Sequence, residues 1–228
     1  DPGAPLPPLL DEFLGEFSCP VLLMGYESAE LAKISINMFL AASVSMANSL
    51  AELCEKIGAD WSEIVPALRL DRRIGEFAYL VPGLGIPGGN IERDLVSVGR
   101  LAQEYGADCD IVHSILQNSL YRRDWVLRVL REHVLEDHPE TIVAIWGLTY
   151  KKDTKSVKNS PSLALIEALA DFSIQAYDPA VDKCAVHESV QYMRSSLDAC
   201  SGAGALAIMT PWNEFASVDL GEVREVMA

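Results

Sequence analysis

Positive charge is scarce in this chain. Thirty-three aspartates and glutamates face 18 lysines and arginines, a formal net charge of −15 over 228 residues. Such a balance repels phosphodiester backbones and excludes nucleic acid as a partner. No uninterrupted apolar run reaches the roughly 18 residues of a membrane span, so no membrane partner is expected. The opening Asp1-Pro2-Gly3 lacks the basic charge of a signal peptide. Cysteines are few: Cys19, Cys54, Cys109, Cys184 and Cys200 are odd in number and no pair has metal-ligand or redox spacing. They read as reduced, buried thiols of a cytoplasmic protein, with no metal site. Half of the residues are hydrophobic. The chain is therefore globular, with length for one large or two small domains.

What is present is first a run of backbone punctuation. Pro82 to Asp94 holds four glycines and two prolines in thirteen residues. Glycine tolerates angles that other residues avoid and proline removes a donor, so this stretch is neither helix interior nor central strand. Two readings stand open: a tight turn between helices, or a loop whose main-chain N–H groups approach a ligand. Asp94 should lie near a helix start, where carboxylates are favoured. A second feature is Lys151, Lys152, Lys155 and Lys158, close together in a chain with few lysines. They form either an ordinary solvated loop or a site for an anion.

Along the chain, Leu9 to Phe17 suits one amphipathic helix and Val21 to Met24 a short strand. Without partners these make no domain, so the chain is expected to begin inside a larger fold. Glu27 to Ile57 reads as a long helix, capped by Ser28 and stopped at Gly58, apolar around most of its circumference. Lys33 and Asn37, four apart, share a face of it, and Asn48 lies three turns beyond Asn37. They are either a surface stripe with a Glu30–Lys33 pair or buried polar groups with a purpose. A shorter helix follows Asp60, with Trp61, Ile64, Val65 and Leu68 as its apolar side. It ends in Asp71-Arg72-Arg73-Ile74-Gly75, whose arginines are helix-end charges or anion ligands. Leu95 to Tyr105 is the next helix, stopped at Gly106. Asp110 to Val134 is a long amphipathic one, with Ile111, Ile115, Leu120 and Leu130 in period. Glu136 to Glu140 breaks the pattern.

Beyond it, Thr141–Gly147, Ser173–Asp178, Val190–Met193 and Ala205–Thr210 are strand candidates. Helices alternate with them at Pro161–Ala170, weakly at Ala180–His187, and at Leu197–Ala203. That alternation predicts an α/β architecture: an all-helical part, then a parallel Rossmann-like sheet with right-handed crossovers. Ligands of such sheets bind beyond the carboxyl ends of the strands. Thr149-Tyr150-Lys151 and Thr210-Pro211-Trp212 sit there, which moves the lysine cluster towards an anion site. No strand here is followed by G-x-G-x-x-G, so a dinucleotide site is not read from motif.

Four segments together resemble the UDP-glucose/GDP-mannose dehydrogenase family, over nearly the whole chain. They are Ser28 to Lys33 with Asn37 to Ala41 and Asn48; Asp71 to Gly75; Gly85 to Asp94; and Gly147 to Lys151 with Thr154 and Ser160-Pro161-Ser162, echoed by Thr210 to Phe215. The resemblance implies three parts: residues 1–27 as the end of an N-terminal NAD-binding domain, 28–135 as a central helical dimerisation domain (like the C-terminal domain of 6-phosphogluconate dehydrogenase), and 136–228 as most of a C-terminal domain for a UDP- or GDP-sugar. It implies oxidation of a sugar C6 alcohol with NAD, in a homodimer of nucleotide-sugar metabolism. The family's NAD fingerprint domain and its closing Asp-x-Arg-Asn segment lie outside these residues, so a piece of a longer protein is expected, inactive alone.

By the same resemblance, Lys33 and Asn37 match the catalytic-helix pair, and Asp94 the aspartate that positions and deprotonates water. Arg73 matches an arginine reaching the sugar across the dimer, and Lys151, with Tyr150, contacts the substrate. Tyr79, Leu80, Gly85 and Ile86 line the nucleotide-sugar site, with one extra residue between Arg73 and Gly85. Lys158 stands for an arginine near the cofactor, with Arg93 on the same side; Ser156 and Pro211 replace acidic residues. The family's thiol nucleophile, in Gly-Gly-Ser-Cys-Phe-x-Lys-Asp, has Asn90 in its place. An amide is no nucleophile at neutral pH, and the second oxidation needs a thiohemiacetal. Three readings follow: a two-electron nucleotide-sugar dehydrogenase, a four-electron enzyme with another nucleophile, or a silent binding and dimerisation protein.

Overall fold

A computed structural model describes residues 5–181 and 190–228. The first half is helical and the second is a parallel sheet wrapped by helices. Helix α1 (Pro8–Gly15) buries no residue, and Leu9, Phe13 and Phe17 are exposed. The strand expected at Val21–Met24 does not form: those residues are irregular and exposed, because no neighbouring strand among the described residues accepts their ladder bonds.

Helix α2 (Tyr26–Ile57) begins one residue earlier than expected. Its N-cap is Gly25, and Ser28 lies inside the first turn rather than capping it. Gly58 stops it at φ 74°, a left-handed cap that suits glycine. The expectation of burial on several sides fails. Ala41, Ser45, Ala47, Asn48, Ala51 and Cys54 are buried, whereas Leu31, Ile36, Phe39 and Met46 are exposed. At 32 residues, α2 is also long and apolar enough to cross a membrane by length and composition, although polar residues interrupt its apolar runs. Its isoleucines, leucines, methionines, Phe39 and alanines carry that average against interspersed serines and asparagines. Its buried face packs on α4 (Asn90–Tyr105) and α5 (Asp110–Arg123), as the core helix of a helical domain does.

Helix α3 (Trp61–Leu70) is capped by Asp60, whose side chain accepts from the Ser62 N–H at 2.7 Å. Trp61, Val65 and Leu68 face the core, while Ile64 is exposed. Helix α4 starts at Asn90, five residues before the expected Leu95, so the glycine loop is shorter and Asn90 to Asp94 are helical. Gly106 closes it at φ 69°. The long helix expected over Asp110–Val134 breaks at Asp124. Arg123 pairs with the Asp124 carboxylate at 3.0 Å, and Arg128 donates to the Tyr121 carbonyl at 2.6 Å, taking an acceptor that the break leaves free. The chain resumes as α6 (Trp125–Leu130) and a π turn, Arg131–Leu135. Ile111 and Leu120, expected on the apolar face, are exposed.

Strands β1 (Ile142–Trp146), β2 (Ser173–Tyr177), β3 (Val190–Tyr192) and β4 (Ala205–Ile208) form one parallel sheet in the order β3-β2-β1-β4. Alternation along β1 sends Val143 and Ile145 to one face, against Leu165 and Leu169. Ala144 and Trp146 face the other, against Cys200, Phe215 and Val223. Helix α7 (Pro161–Ala168) has Pro161 in its first turn and Ser160 as cap; α8 (Ser196–Cys200), α9 (Asn213–Ala216) and α10 (Leu220–Val226) complete the cover. Most of the helix expected at Ala180–His187 lies outside the described residues, as does Cys184. Cys54 and Cys200 are buried as expected; Cys109 is only half-buried and Cys19 is exposed.

Candidate functional site

The glycine loop is held from three sides. Gly83 donates its N–H to Asn48 Oδ1 of α2 at 2.7 Å and accepts at its carbonyl from Arg122 Nε of α5 at 3.2 Å. Ile86 donates to Ser119 Oγ at 2.8 Å. Gly85 has φ 75°, and a Cβ there would stand 2.4 Å from the Ser119 carbonyl oxygen, so a side chain is excluded by both angle and space. Gly88, at φ 85°, lies under the Tyr150 ring, and Gly89 meets the Lys158 side chain. Asn159 donates to the Gly88 carbonyl at 2.7 Å and also to Glu92. Two of the loop's N–H groups, at Gly83 and Ile86, are thus consumed inside the protein. Gly83 to Gly88 does spell G-x-G-x-x-G, but between α3 and α4, with no preceding strand.

Facing the loop are the carboxyl ends of β1 and β4. The chain runs from β1 outward to β2 and β3, then crosses back to β4 on the other side. The β1–β4 seam is therefore the point where strand order reverses, the place where open parallel sheets bind ligands. Gly147, at φ 91°, lets Thr210 close on it; a Cβ would fall 2.5 Å from that of Thr210. Thr210 Oγ1 donates to the Thr149 carbonyl at 2.7 Å, and Ser160 Oγ to that of Leu148 at 2.7 Å. Buried Asp178 gathers the N–H groups of Leu148 (2.7 Å) and Thr149 (3.2 Å) and the Trp212 indole N–H (3.2 Å). Between seam and loop opens a cleft of about 470 Å³, lined among others by Gly83, Pro87, Arg122, Tyr150, Lys151 and Lys152.

A polar cluster joins α2 to α4. Asn37 Nδ2 donates to Asp94 Oδ2 at 2.6 Å, and Arg93 holds Oδ1 through Nε (3.1 Å) and a terminal nitrogen (2.9 Å). The Asn37 hydrogen bond keeps the Asp94 carboxyl below its ordinary range, against its own burial and helped by Arg93 and the Lys33 charge. The group is thus a fixed anion that orients donors. Lys33 itself is exposed, and among the described residues no ion pair joins it to Glu30. Asn90 is exposed at the first position of α4, one turn before Asp94 and on the same side of the helix.

The remaining expected residues divide. Tyr150 and Lys151 line the cleft; Gly85 and Ile86 are buried in the loop beside it. Arg93 and Lys158 line a separate cavity of about 580 Å³ with Arg100, Gly88 and Gly89. Arg73 is exposed and bound by Asp71 at 2.6 Å, and with Leu80 it borders a third, apolar cavity beside Phe39 and Met46. Leu80 is core, its carbonyl taken by the Trp61 indole at 2.8 Å, and Tyr79 is exposed. Sequence reading passed over Asp178, Ser119, Arg122 and Asn159. An aspartate at the end of a buried strand signals the first; the others join segments far apart in sequence and leave no local trace.

The central-domain model of the UDP-glucose/GDP-mannose dehydrogenase family matches residues 27–119, and that family's UDP-binding-domain model matches residues 144–228. The chain belongs to this family. A UDP-glucose 6-dehydrogenase of Rickettsia typhi is 30% identical over 212 residues, 90% of this chain and 49% of the relative. One of Haloferax volcanii is 32% identical over 204 residues, covering 88% of this chain and 47% of the relative. Among solved structures, a UDP-glucose dehydrogenase of Pyrobaculum islandicum superposes with a TM-score of 0.81 at 26% identity, covering 92% of this chain and 51% of that one. The chain spans about half the length of the curated relatives it matches. In family terms, the helical region is the central domain and the sheet region the UDP-binding domain, with the glycine loop and the cleft where they meet.

Proposed function

We propose that this segment works in a nucleotide-sugar dehydrogenase that takes the C6 alcohol of a UDP- or GDP-sugar to the aldehyde level, without the thiol step. What carries the reading is Asn90: a carboxamide occupies the family's thiol position, one turn from the Asn37–Asp94–Arg93 cluster. Alcohol oxidation sheds a hydride from carbon and a proton from oxygen, and charge gathers at the developing carbonyl oxygen. Asn37, tied to Asp94 by one N–H, keeps its second N–H for that oxygen. The Lys33 ammonium supplies positive charge on the same face of α2. Asp94, held ionised, fixes the Asn37 amide and orients water. Arg73 reaches the sugar from a second copy, and Tyr79 belongs to the nucleotide wall with Gly85 and Ile86, backed by the buried Leu80.

The nucleotide diphosphate belongs in the cleft between loop and seam, where Lys151 and Lys152 offer positive charge in an acidic chain. NAD, when bound, supplies the hydride acceptor. The cavity of Arg93, Arg100 and Lys158 suits its anionic diphosphate, Lys158 as a point charge without an arginine's fork. Residues 1–27 belong with the NAD-binding domain, 28–135 dimerise through the exposed apolar side of α2, and 136–228 hold the nucleotide sugar, in a cytoplasmic enzyme. NADH released per nucleotide sugar by the full-length protein tests the reading. One equivalent is expected; two require another nucleophile, and none, with UDP still bound in calorimetry, leaves a silent binding protein.

A further inference from the structure

Asn159 sits in the left-handed region, at φ 51°, on the turn that leads into α7. Asparagine tolerates that angle better than most residues, and here it aims the side-chain amide out of the sheet domain at the glycine loop. Its nitrogen donates to the Gly88 carbonyl at 2.7 Å and to the Glu92 carboxylate in the first turn of α4. Both hydrogens of one amide are thereby spent on the other domain. The partners bracket Asn90, two residues after Gly88 and two before Glu92. Asn159 and Glu92 also both line the cavity of Arg93 and Lys158 and a neighbouring one of about 210 Å³ beneath Ile86 and Ser119, so their contact is part of the wall between the two.

We propose that Asn159 is a positioning residue: a two-pronged latch that ties the sheet domain to the loop end and helix start carrying residue 90, and so sets the width of the nucleotide cleft. The consequence for the cleft rests on the function proposed above; the latch itself does not. The loop's Gly83 end is held within the helical domain by Asn48 and Arg122. Its Gly88 end is held across the domain boundary, where Tyr150 and Lys158 contribute packing and Asn159 the hydrogen bonds. Replacing the amide with a carboxylate sets an acceptor against a carbonyl and a carboxylate, which reverses the contact without changing shape.

The 228-residue chain and three variants decide it: Asn159→Asp, Glu92→Gln and the double variant Asn159→Asp/Glu92→Gln. Backbone amide exchange over residues 86–94 should speed up about three- to tenfold in Asn159→Asp, while exchange in β1 stays unchanged. The double variant, in which the Gln amide at position 92 donates to the Asp carboxylate at position 159, should recover about half of that protection, because the Gly88 carbonyl still faces an acceptor. UDP binding, read by calorimetry, should weaken and recover in parallel. Unchanged exchange in Asn159→Asp, or no recovery in the double variant, overturns the latch. If the parent chain binds neither UDP nor GDP while exchange behaves as described, the latch stands and the nucleotide reading of the cleft falls.

Discussion

The two halves of this chain treat their apolar residues differently. The sheet region buries its large side chains within itself: Trp146, Ile145, Leu148 and Leu169 are fully enclosed. The helical region leaves Phe39 77%, Met46 61% and Leu31 52% exposed on its longest helix. A sheet covered on both faces needs nothing further to close its core. A helix with an apolar outer side calls for another surface, and the function proposed above supplies one in a second copy of the chain. The halves should therefore answer differently to mutation.

The largest contrast is expected between Trp146→Ala and Phe39→Ser. Trp146 fills the inner face of the sheet and donates its indole N–H to the Ser196 carbonyl at 2.8 Å. Its loss should cost about 3–5 kcal/mol in urea unfolding, at every protein concentration. Phe39→Ser should leave the dilute chain's stability nearly unchanged and abolish the rise of melting temperature with concentration that a dimer gives. A loss independent of concentration in both variants would break the contrast.

Next in size are two glycines of the same loop. Gly85→Ala puts a Cβ against the Ser119 carbonyl at a positive φ and should cost about 1–3 kcal/mol. Gly83→Ala has open space and keeps both backbone bonds, so a change within about 0.5 kcal/mol is expected. Chemical denaturation of both variants measures the difference.

Asp94→Asn gives a smaller, pH-dependent effect. The folded state holds the Asp94 carboxyl below its unfolded value, so its contribution is present above that value, about 3.9, and is lost as pH falls through the lowered one. The variant should be less stable at pH 7, with the gap closing in acid; unfolding curves at pH 7, 4 and below show it. Smallest of all should be Asn90→Cys, which alone restores no sugar acid, because its neighbours also differ from the family pattern. Product analysis by mass spectrometry checks it.

How far the sequence reached follows the same division. β1 and β4 were legible as short apolar runs ended by Gly147 and Thr210, and β2 as a run of strand formers ended by Asp178; they lie where Thr141–Gly147, Ala205–Thr210 and Ser173–Asp178 were expected. Caps chosen by local chemistry, Asp60, Gly58 and Gly106, were equally legible. The start of α4 was not: glycines and prolines mask a helix whose first turn is fixed by contacts with the other domain. The break at Asp124 depends on Arg128 reaching back to Tyr121, which periodicity does not register. Within the site, Asn37 and Asp94 are hydrogen-bonded and Tyr150 and Lys151 line the cleft, whereas Arg73 stands apart within a single copy. The ties that shape the loop, from Ser119, Asn159 and Arg122, join residues 33 to 71 positions apart and exist only in the folded chain.

The central claim is that an amide in place of the thiol stops oxidation at the aldehyde. Running the full-length protein with a UDP-sugar, NAD and hydroxylamine, then weighing the product, tests it most directly. The account expects the oxime of the C6 aldehyde as the sole oxidised species; a sugar acid would contradict it.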